Sequence, residues 1–402
     1  MAKKILIIDD SALMRRVISD IIKEGNEYEV SAIAKDGLEG FDLIVSNPNL
    51  YSAVILDINM PKMNGLELLE KLQKNHIEQT VIVVSTVAKD GARETIKALE
   101  FGAFDFVTKP ENYLETKSIA FKEKIHTMLN LATSTKASIE RTSLSGTTGK
   151  ASTTRRSVLT STSTAAPVKR RTMSASDKSA VSAWRKKNIE QDVKAQKVDS
   201  SMYSNVKKGR NKIVALACST GGPKSLQQVI PMLPKNLDAG IVLVQHMPVG
   251  FTASLAQRLN EMSDVVVQEA RQGDVIQKGN VYIAPGGKHI KVVKSGAQHK
   301  IELSDASAID GLRPCANVMY ESLEKTSFDE ITCVVLTGMG ADGTKGIQGL
   351  AKAHKNIYVI AQDEDSSVVY GMPKAIAQTG LVDEVVSLNR VAEAITKNVG
   401  VS

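Results

Sequence analysis

Residues Lys212 to Ser225 read KIVALACSTGGPKS. An apolar run, Ile213 to Ala217, leads into Cys218, Ser219, Thr220, Gly221, Gly222 and Pro223, and from Ser225 onward the pattern is that of an amphipathic helix. This spacing predicts a strand, a sharp turn and a helix. A hydroxyl on such a turn stands clear of the sheet edge, beside helix N-terminal N–H groups that can stabilise developing negative charge. Ser219 is therefore a candidate nucleophile. From this stretch alone, the reading in which Ser219 or Thr220 merely caps the helix is the favoured one. A phosphate-cradling loop is disfavoured, because G-G-P-K-S lacks the spacing of G-x-x-x-x-G-K-[ST].

With 402 residues, 42% of them hydrophobic, the chain has room for two ordinary domains with cores of their own. Three cysteines, Cys218, Cys315 and Cys333, are too few and too scattered for a disulfide framework or a zinc site, which fits a reducing cytoplasm. The start, MAKKILIIDDS, is an apolar run broken at once by two carboxylates, as in a buried strand and unlike a signal peptide. No apolar stretch is long enough to span a bilayer, so no membrane insertion is expected. The net charge of +7 is unevenly placed: residues 133–208 hold 16 Lys and Arg against 5 Asp and Glu, leaving 35 against 39 elsewhere. The basic excess lies in one segment and needs no nucleic-acid partner to explain it.

In the N-terminal part, apolar runs at Ile5 to Ile8, Val30 to Ala34, Ala53 to Leu56, Val81 to Val84 and Phe104 to Val107 alternate with helical patterns. This predicts a parallel sheet wound with helices on both faces, in which chemistry gathers outside the carboxyl ends of the strands. There the chain places Asp9 and Asp10, Asp57, Ser85 and Thr86, and Lys109 with Pro110. Three carboxylates on one edge repel unless a cation neutralises them, and magnesium, which takes a few carboxylates with water and phosphate oxygens, suits phosphoryl transfer to one of them. Asp57 has the central strand-end position. The stretches IIDDSALMR, ILDINMPKMNG, VVST and FVTKP resemble the receiver domains of two-component response regulators, over about Lys3 to Leu131. The resemblance implies a flavodoxin-like fold in which Asp57 accepts phosphate from a sensor histidine kinase. It further implies that Asp9, Asp10, Asp57 and the Asn59 carbonyl place Mg2+, that Ser85 and Lys109 contact the phosphoryl group, and that Phe106 is the aromatic residue that reorients on activation.

After a helical pattern from Ser118 to Leu131 the chain becomes rich in Ser, Thr and Ala, with basic pairs and few large apolar residues. Thr133 to Lys208 is therefore expected to be a disordered linker, dividing the chain into domains at 1–132 and 209–402. Ala180 to Val198, with the only tryptophan, Trp184, could form a short helix.

In the C-terminal part, apolar runs at Ile213 to Ala217, Ile241 to Val244, Val265 to Val267, Val281 to Ala284, Ile331 to Leu336 and Ile357 to Ile360 predict a second doubly wound α/β domain. A hairpin, His289 to Lys294 with Lys300 to Ser304, is inserted in it. Ser219, His246 and Asp342 each follow a predicted strand, and together they could make a hydrolytic triad of nucleophile, base and orienting acid. Of the six histidines only His246 directly follows a buried strand. Cys218 is a competing nucleophile, though the last strand residue should point into the core. The same loop carries a rival reading: Gly338, Gly340 and Gly343 spell G-x-G-x-x-G after a strand, with Asp363 further on, as in an NAD site. It would leave Ser219 and His246 idle.

The stretches ACSTGGP, VQHMPVGFTASLAQRLN, VYIAPGGKH, LTGMGADG and AQDEDSSVVYGMPKAIAQTG are similar to the chemotaxis protein-glutamate methylesterases, the CheB family, over about Lys212 to Val399. The resemblance implies that Ser219, His246 and Asp342 are the triad, that the Met339 N–H contributes to the oxyanion hole, and that no cofactor serves the catalytic domain. The implied substrate is a glutamate γ-methyl ester on the cytoplasmic helices of a chemoreceptor, with deamidation of receptor glutamines in many members. A cytoplasmic monomer is expected. Two departures stand out: the linker is longer than usual, and Cys315 in RPCAN sits where a serine is common. Three readings therefore stand at this point: a phosphorylation-activated methylesterase, an NAD-dependent oxidoreductase using GMGADG, and a receiver-controlled binding module whose GGP and GMGADG loops hold a peptide without turnover.

Overall fold

The structure is a computed structural model that describes residues 2–86, 88–110, 118–145 and 211–402. Among them the N-terminal part forms a parallel sheet of β1 (Lys3–Ile8), β2 (Tyr28–Ala34), β3 (Ala53–Asp57), β4 (Val81–Ser85) and β5 (Asp105–Thr108), in the order β2-β1-β3-β4-β5. The helices are α1 (Ala12–Lys23), α2 (Gly37–Ser46), α3 (Gly65–Lys74), α4 (Lys89–Glu100) and α5 (Ile119–Ser145). Local chemistry starts them where the strands stop. Ser11 accepts from the Met14 N–H at the head of α1, and Asn64 forms a reciprocal capping box with Glu67 at the head of α3. Alternate residues of β1 then bury on opposite faces. Ile5 and Ile7 join Ile18, Phe121 and Ile125 on one side, and Leu6 and Ile8 join Leu68 and Ile96 on the other. Each such side chain contributes about 1.5–3 kcal/mol on burial, enough to fix the register of the whole sheet.

The C-terminal part is a larger parallel sheet. Its strands are β6 (Lys212–Cys218), β7 (Ala239–Gln245), β8 (Val266–Glu269), β9 (Asn280–Ile283), β12 (Glu330–Val335), β13 (Ile357–Gln362) and β14 (Glu384–Val386), in the order β14-β13-β12-β6-β7-β9-β8. The hairpin β10 (His289–Ser295) and β11 (Gln298–Ser304) is antiparallel and lies outside this sheet. The main helices are α6 (Gly222–Val229), α7 (Phe251–Met262), α8 (Ala316–Ser322), α9 (Thr344–Lys352), α10 (Met372–Ala377) and α11 (Val391–Val399). Every residue of β6 and β7 is buried, as the continuous apolar runs require of central parallel strands. Strand order runs outward in both directions from β6, so a crevice opens at the carboxyl end of β6, between its neighbours β7 and β12.

The two α/β sheets and the inserted hairpin agree with the sequence, and three features differ from it. β14 was not foreseen: three residues at a sheet edge carry too little apolar pattern to register. β8 and β9 are adjacent parallel strands whose connection contains no helix. α5 continues through Ser145, past the expected start of the linker at Thr133, because Ala132 and Thr133 are still buried and the Thr133 hydroxyl bonds Lys3 Nζ at 2.8 Å and Leu129 O at 2.7 Å. The expected short helix at Ala180 to Val198 and the linker from 146 to 208 lie outside the described residues. Among the described residues no helix is long and apolar enough to cross a membrane.

Candidate functional site

Three neighbouring strands, β6, β7 and β12, are zipped together one residue beyond their ends. The His246 N–H donates to Cys218 O at 3.2 Å, the Ser219 N–H to Thr337 O at 3.0 Å and the Leu336 N–H to Ala217 O at 2.9 Å. Ser219 and His246 thereby leave the sheet side by side. Gly338 makes this approach possible, since a Cβ there would lie 2.8 Å from Ser219 Cβ and 2.4 Å from Met372 Sδ. Gly221, with φ +76°, turns the chain from Ser219 into α6.

His246 Nε2 lies 2.8 Å from Asp342 Oδ2. The same carboxylate accepts from the Ala316 N–H at 2.6 Å, the Gly343 N–H at 2.9 Å, the Asn317 N–H at 3.0 Å and the Cys315 thiol at 3.1 Å. Burial alone would raise the Asp342 pKa, but the bonds from His246, Ala316 and Asn317 outweigh it and hold the group at about 2. An ionised carboxylate can only accept, so neutral His246 carries its proton on Nε2, which leaves Nδ1 able to accept a proton. Ser219 and His246 line one cleft of about 290 Å³ with Thr220, Gln245 and Leu312. No hydrogen bond joins Ser219 to His246 here, a looseness common in hydrolases before substrate closes the geometry. Met339 is half exposed on the loop after β12.

Cys218 points into the core as expected. It is fully buried, its thiol donates to Gln245 Oε1 at 3.1 Å, and burial pushes its pKa far above the usual thiol range. Gln245 was missed by the sequence reading, although a glutamine closing a buried strand between Cys218 and His246 is a visible anomaly. Its Nε2 donates to Ser219 O at 3.0 Å and His246 O at 3.1 Å, tying the two reactive segments together. The dinucleotide reading fails on the same geometry. The space over Gly338 is filled by Ser219 and Met372, Asp342 is taken by His246, and Asp363 caps its own turn through Ser366 N–H at 3.0 Å.

In the N-terminal sheet, Asp9, Asp10 and Asp57 bring carboxylate oxygens within 4.8 Å of one another. Lys109 Nζ lies 3.0 Å from Asp9 Oδ2 and 2.7 Å from Asp57 Oδ2. Burial raises the Asp57 pKa and Asp9 adds to it, while Lys109 opposes both. Burial would also lower the Lys109 pKa, and the two carboxylates more than offset this. Asp9 Oδ2 is buried without an aligned hydrogen bond, which together with the all-oxygen donor set fits a hard dication. Asn59 is exposed two residues after Asp57, and buried Ser85 donates to Gly91 O at 3.2 Å.

Phe106, which follows Asp105 on β5, does not face open solvent. Its ring stacks on Phe251, the first residue of α7, with centroids 4.7 Å apart and planes at 20°. Alongside, Arg258 on α7 makes a bidentate pair with Glu100 on α4, at 2.8 to 3.2 Å, and Arg93 bonds Gln257 at 3.1 Å. Asp105 is buried facing the Thr220 hydroxyl and the Gly221 N–H. Burial pushes its pKa up to about 6 against the pull of those donors and its own Phe106 N–H. Asp105 and Phe106 thus line the same cleft as Ser219 and His246.

The sequence model of the CheB methylesterase family matches residues 214–395, and that of the response regulator receiver domain matches residues 5–119. A protein-glutamate methylesterase/protein-glutamine glutaminase of Pyrococcus abyssi is 36% identical over 397 residues, covering 98% of this chain and 93% of that one. The protein so named in Bacillus subtilis is 36% identical over 399 residues, covering 98% and 97%. The solved CheB methylesterase catalytic domain of Thermotoga maritima is 40% identical, covers 46% of this chain and 98% of that one, and superposes with a TM-score of 0.45.

Proposed function

Because the chain belongs to the CheB methylesterase family, with a receiver domain ahead of its hydrolase domain, we propose that Ser219, His246 and Asp342 are the triad of a protein-glutamate methylesterase controlled by phosphorylation of Asp57. The substrate is a glutamate γ-methyl ester on the cytoplasmic part of a chemoreceptor. Ser219 Oγ attacks the ester carbonyl as its proton passes to His246 Nδ1. The imidazolium, held by Asp342 through Nε2, returns that proton to the leaving oxygen and releases methanol. Water then gives a proton to His246 and attacks the acyl-Ser219, restoring the serine and leaving the glutamate carboxylate. The Met339 N–H would stabilise the oxyanion. The triad supplies nucleophile, base and acid, so hydrolysis calls for no cofactor in this domain. The glutaminase activity in the relatives' names follows the same route with ammonia as leaving group, and we extend it to this chain.

In the receiver, Asp9, Asp10, Asp57 and the Asn59 carbonyl would hold Mg2+, whose charge neutralises the incoming phosphoryl oxygens. Asp57 takes the phosphoryl group from a sensor histidine kinase, Lys109 pairs with it, and Ser85 bonds it. The unphosphorylated receiver covers the catalytic cleft through Asp105 and Phe106. We assign residues 1–145 to the receiver with its closing helix, 146–208 to a linker and 209–402 to the catalytic domain of a cytoplasmic monomer that uses no nucleic acid.

The observation that carries this reading is the 2.8 Å pairing of His246 with an ionised, fully donated Asp342 at the edge where Ser219 leaves β6. Methanol release from methyl-labelled receptor membranes tests it. Release must depend on Ser219, and undiminished release by Ser219→Ala would refute the assignment. NAD-independent turnover also separates this reading from the oxidoreductase and from a binding module.

A further inference from the structure

Cys315 is the residue before α8 and lies 1% exposed beside the catalytic acid. Its backbone is anchored first. The Cys315 N–H donates to His289 Nδ1 at 3.2 Å, and His289 Nε2 lies 3.1 Å from Ser307 O. A carbonyl only accepts, so buried His289 carries its proton on Nε2 and keeps Nδ1 free to receive the Cys315 N–H. The side chain is then aimed. Cys315 Sγ lies 3.1 Å from Asp342 Oδ1, a short distance for sulfur, and an ionised carboxylate makes the thiol the donor. Burial, reinforced by the Asp342 charge, pushes the thiol pKa up to about 12, so it stays protonated and cannot serve as a nucleophile.

The two oxygens of Asp342 have separate duties. Oδ2 receives His246 Nε2–H and the Ala316 N–H, while Oδ1 receives the Asn317 and Gly343 N–H groups and the thiol. Apart from His246, Cys315 is the only side chain among the described residues bonded to this carboxylate in these contacts. We propose that Cys315 is a positioning residue for the triad, its thiol drawing charge onto Oδ1 and so setting how strongly Oδ2 holds the His246 imidazolium. This rests on Asp342 being the triad's acid.

The physical consequence has a sign. Without the thiol, Oδ1 loses a donor in a place water does not reach, and the carboxylate becomes a stronger acceptor for His246. The protonated imidazole is then favoured, and the acid limb of the rate profile moves to higher pH. The titratable groups facing Asp342 are His246, Cys315 and Tyr320. The Tyr320 hydroxyl is committed to Ala215 O at 3.2 Å and Val334 O at 3.1 Å, which leaves the thiol as the group to vary.

The test is kcat/KM against pH for the full chain on methyl-labelled receptor membranes, with a small phosphodonor and magnesium present. Cys315→Ala should move the acid limb up by about one pH unit, the equivalent of one hydrogen bond to a charged group, and lower the rate below that limb about ten-fold. Cys315→Ser, which restores a donor, should bring the limb back. A rate loss in Cys315→Ala with no movement of the limb would reduce the residue to packing and overturn the proposal, as would equal movement in both variants. Asp342→Asn separates the two layers: if it is damaging while Cys315→Ala matches the parent, only the role of Cys315 falls. If Asp342→Asn is fully active, the triad itself falls.

Discussion

Replacing Asp105 with asparagine should stabilise the covered protein at neutral pH and lower its basal esterase rate. Asp105 opens β5, is 7% exposed, and uses Oδ1 to accept the Phe106 N–H at 2.8 Å while facing the Thr220 hydroxyl and the Gly221 N–H. Burial raises its pKa from the usual carboxylate range to about 6. The sign follows from that elevation. At pH below the unfolded value the group is neutral in both states and costs nothing. The penalty for burying its charge grows as pH rises between the two pKa values and is complete above the folded one. A shift of two units corresponds to about 3 kcal/mol, divided between folding of the receiver and its docking over the cleft. Asparagine keeps the Oδ1 acceptor and removes the charge but turns the other oxygen into a donor, which costs part of the bonding with Thr220 and Gly221. Asp105→Asn should therefore exceed the parent in urea stability by well under about 3 kcal/mol at about pH 7.5, the gap shrinking towards about pH 4.5. The docking share appears separately as a slower basal release of methanol. A stability difference of the same size at both pH values, or a variant less stable than the parent at the higher one, would refute the account.

Other outcomes are equally specific. Ser219→Ala and His246→Ala should each remove most activity, and the double variant should cost little more than either, since the two groups act as a unit. Cys218→Ala should stay active, and because His246 must be neutral to accept the serine proton, the parent rate should fall at acid pH. Asp57→Asn should abolish magnesium-dependent phosphate incorporation from a small phosphodonor, and label surviving in that variant would place the acceptor elsewhere. Arg258→Ala removes the bidentate pair with Glu100, in which both side chains are 32% exposed. Exposure limits that pair to about 1 kcal/mol, so the unphosphorylated basal rate should rise no more than about five-fold. An unchanged basal rate would show that the pair does not hold the cover.

The strand-end residues were legible because an α/β sheet puts its chemistry where buried apolar runs stop, and Asp57, Ser219 and His246 each sit at such a stop. What the chain could not display was the company those residues keep. Besides His246, the groups that donate to Asp342 include Cys315, Ala316 and Asn317, some 25 residues earlier, and two of them are main-chain N–H groups with no side-chain signature. The length of α5 was hidden for a different reason. Ser and Thr dominate the composition from residue 133, yet Thr133 is held by a contact to Lys3 that is 130 positions away. Phe251 gave no sign of its partner either, since its stacking on Phe106 depends on how two separately wound sheets meet.

That meeting concentrates the control on one short strand. The four residues of β5 alternate in burial, with Asp105 and Val107 turned in and Phe106 and Thr108 partly exposed, and Lys109 follows directly. Lys109 contacts Asp57 at one end of this segment, while Phe106 stacks on Phe251 and Asp105 faces Thr220 at the other. On the proposed function, phosphorylation of Asp57 would change the charge beside Lys109 and would offer Ser85 a new acceptor in place of Gly91 O. Any resulting shift of β5 would reach, within four residues, both Asp105 and Phe106, which line the cleft. Phe251 offers a route onward, because it begins α7 and its N–H closes on Pro248 O at 3.3 Å, two residues beyond His246. Packed cores switch between discrete arrangements rather than stretching, so a ring that leaves Phe251 would lose that stacking outright, while the Arg258–Glu100 pair remains. Coupling over so short a path requires no long chain of intermediates. Phe106→Ala should therefore raise the basal rate and also flatten its response to phosphorylation. A variant that stays fully inducible by phosphodonor would show that the signal leaves the receiver by another element.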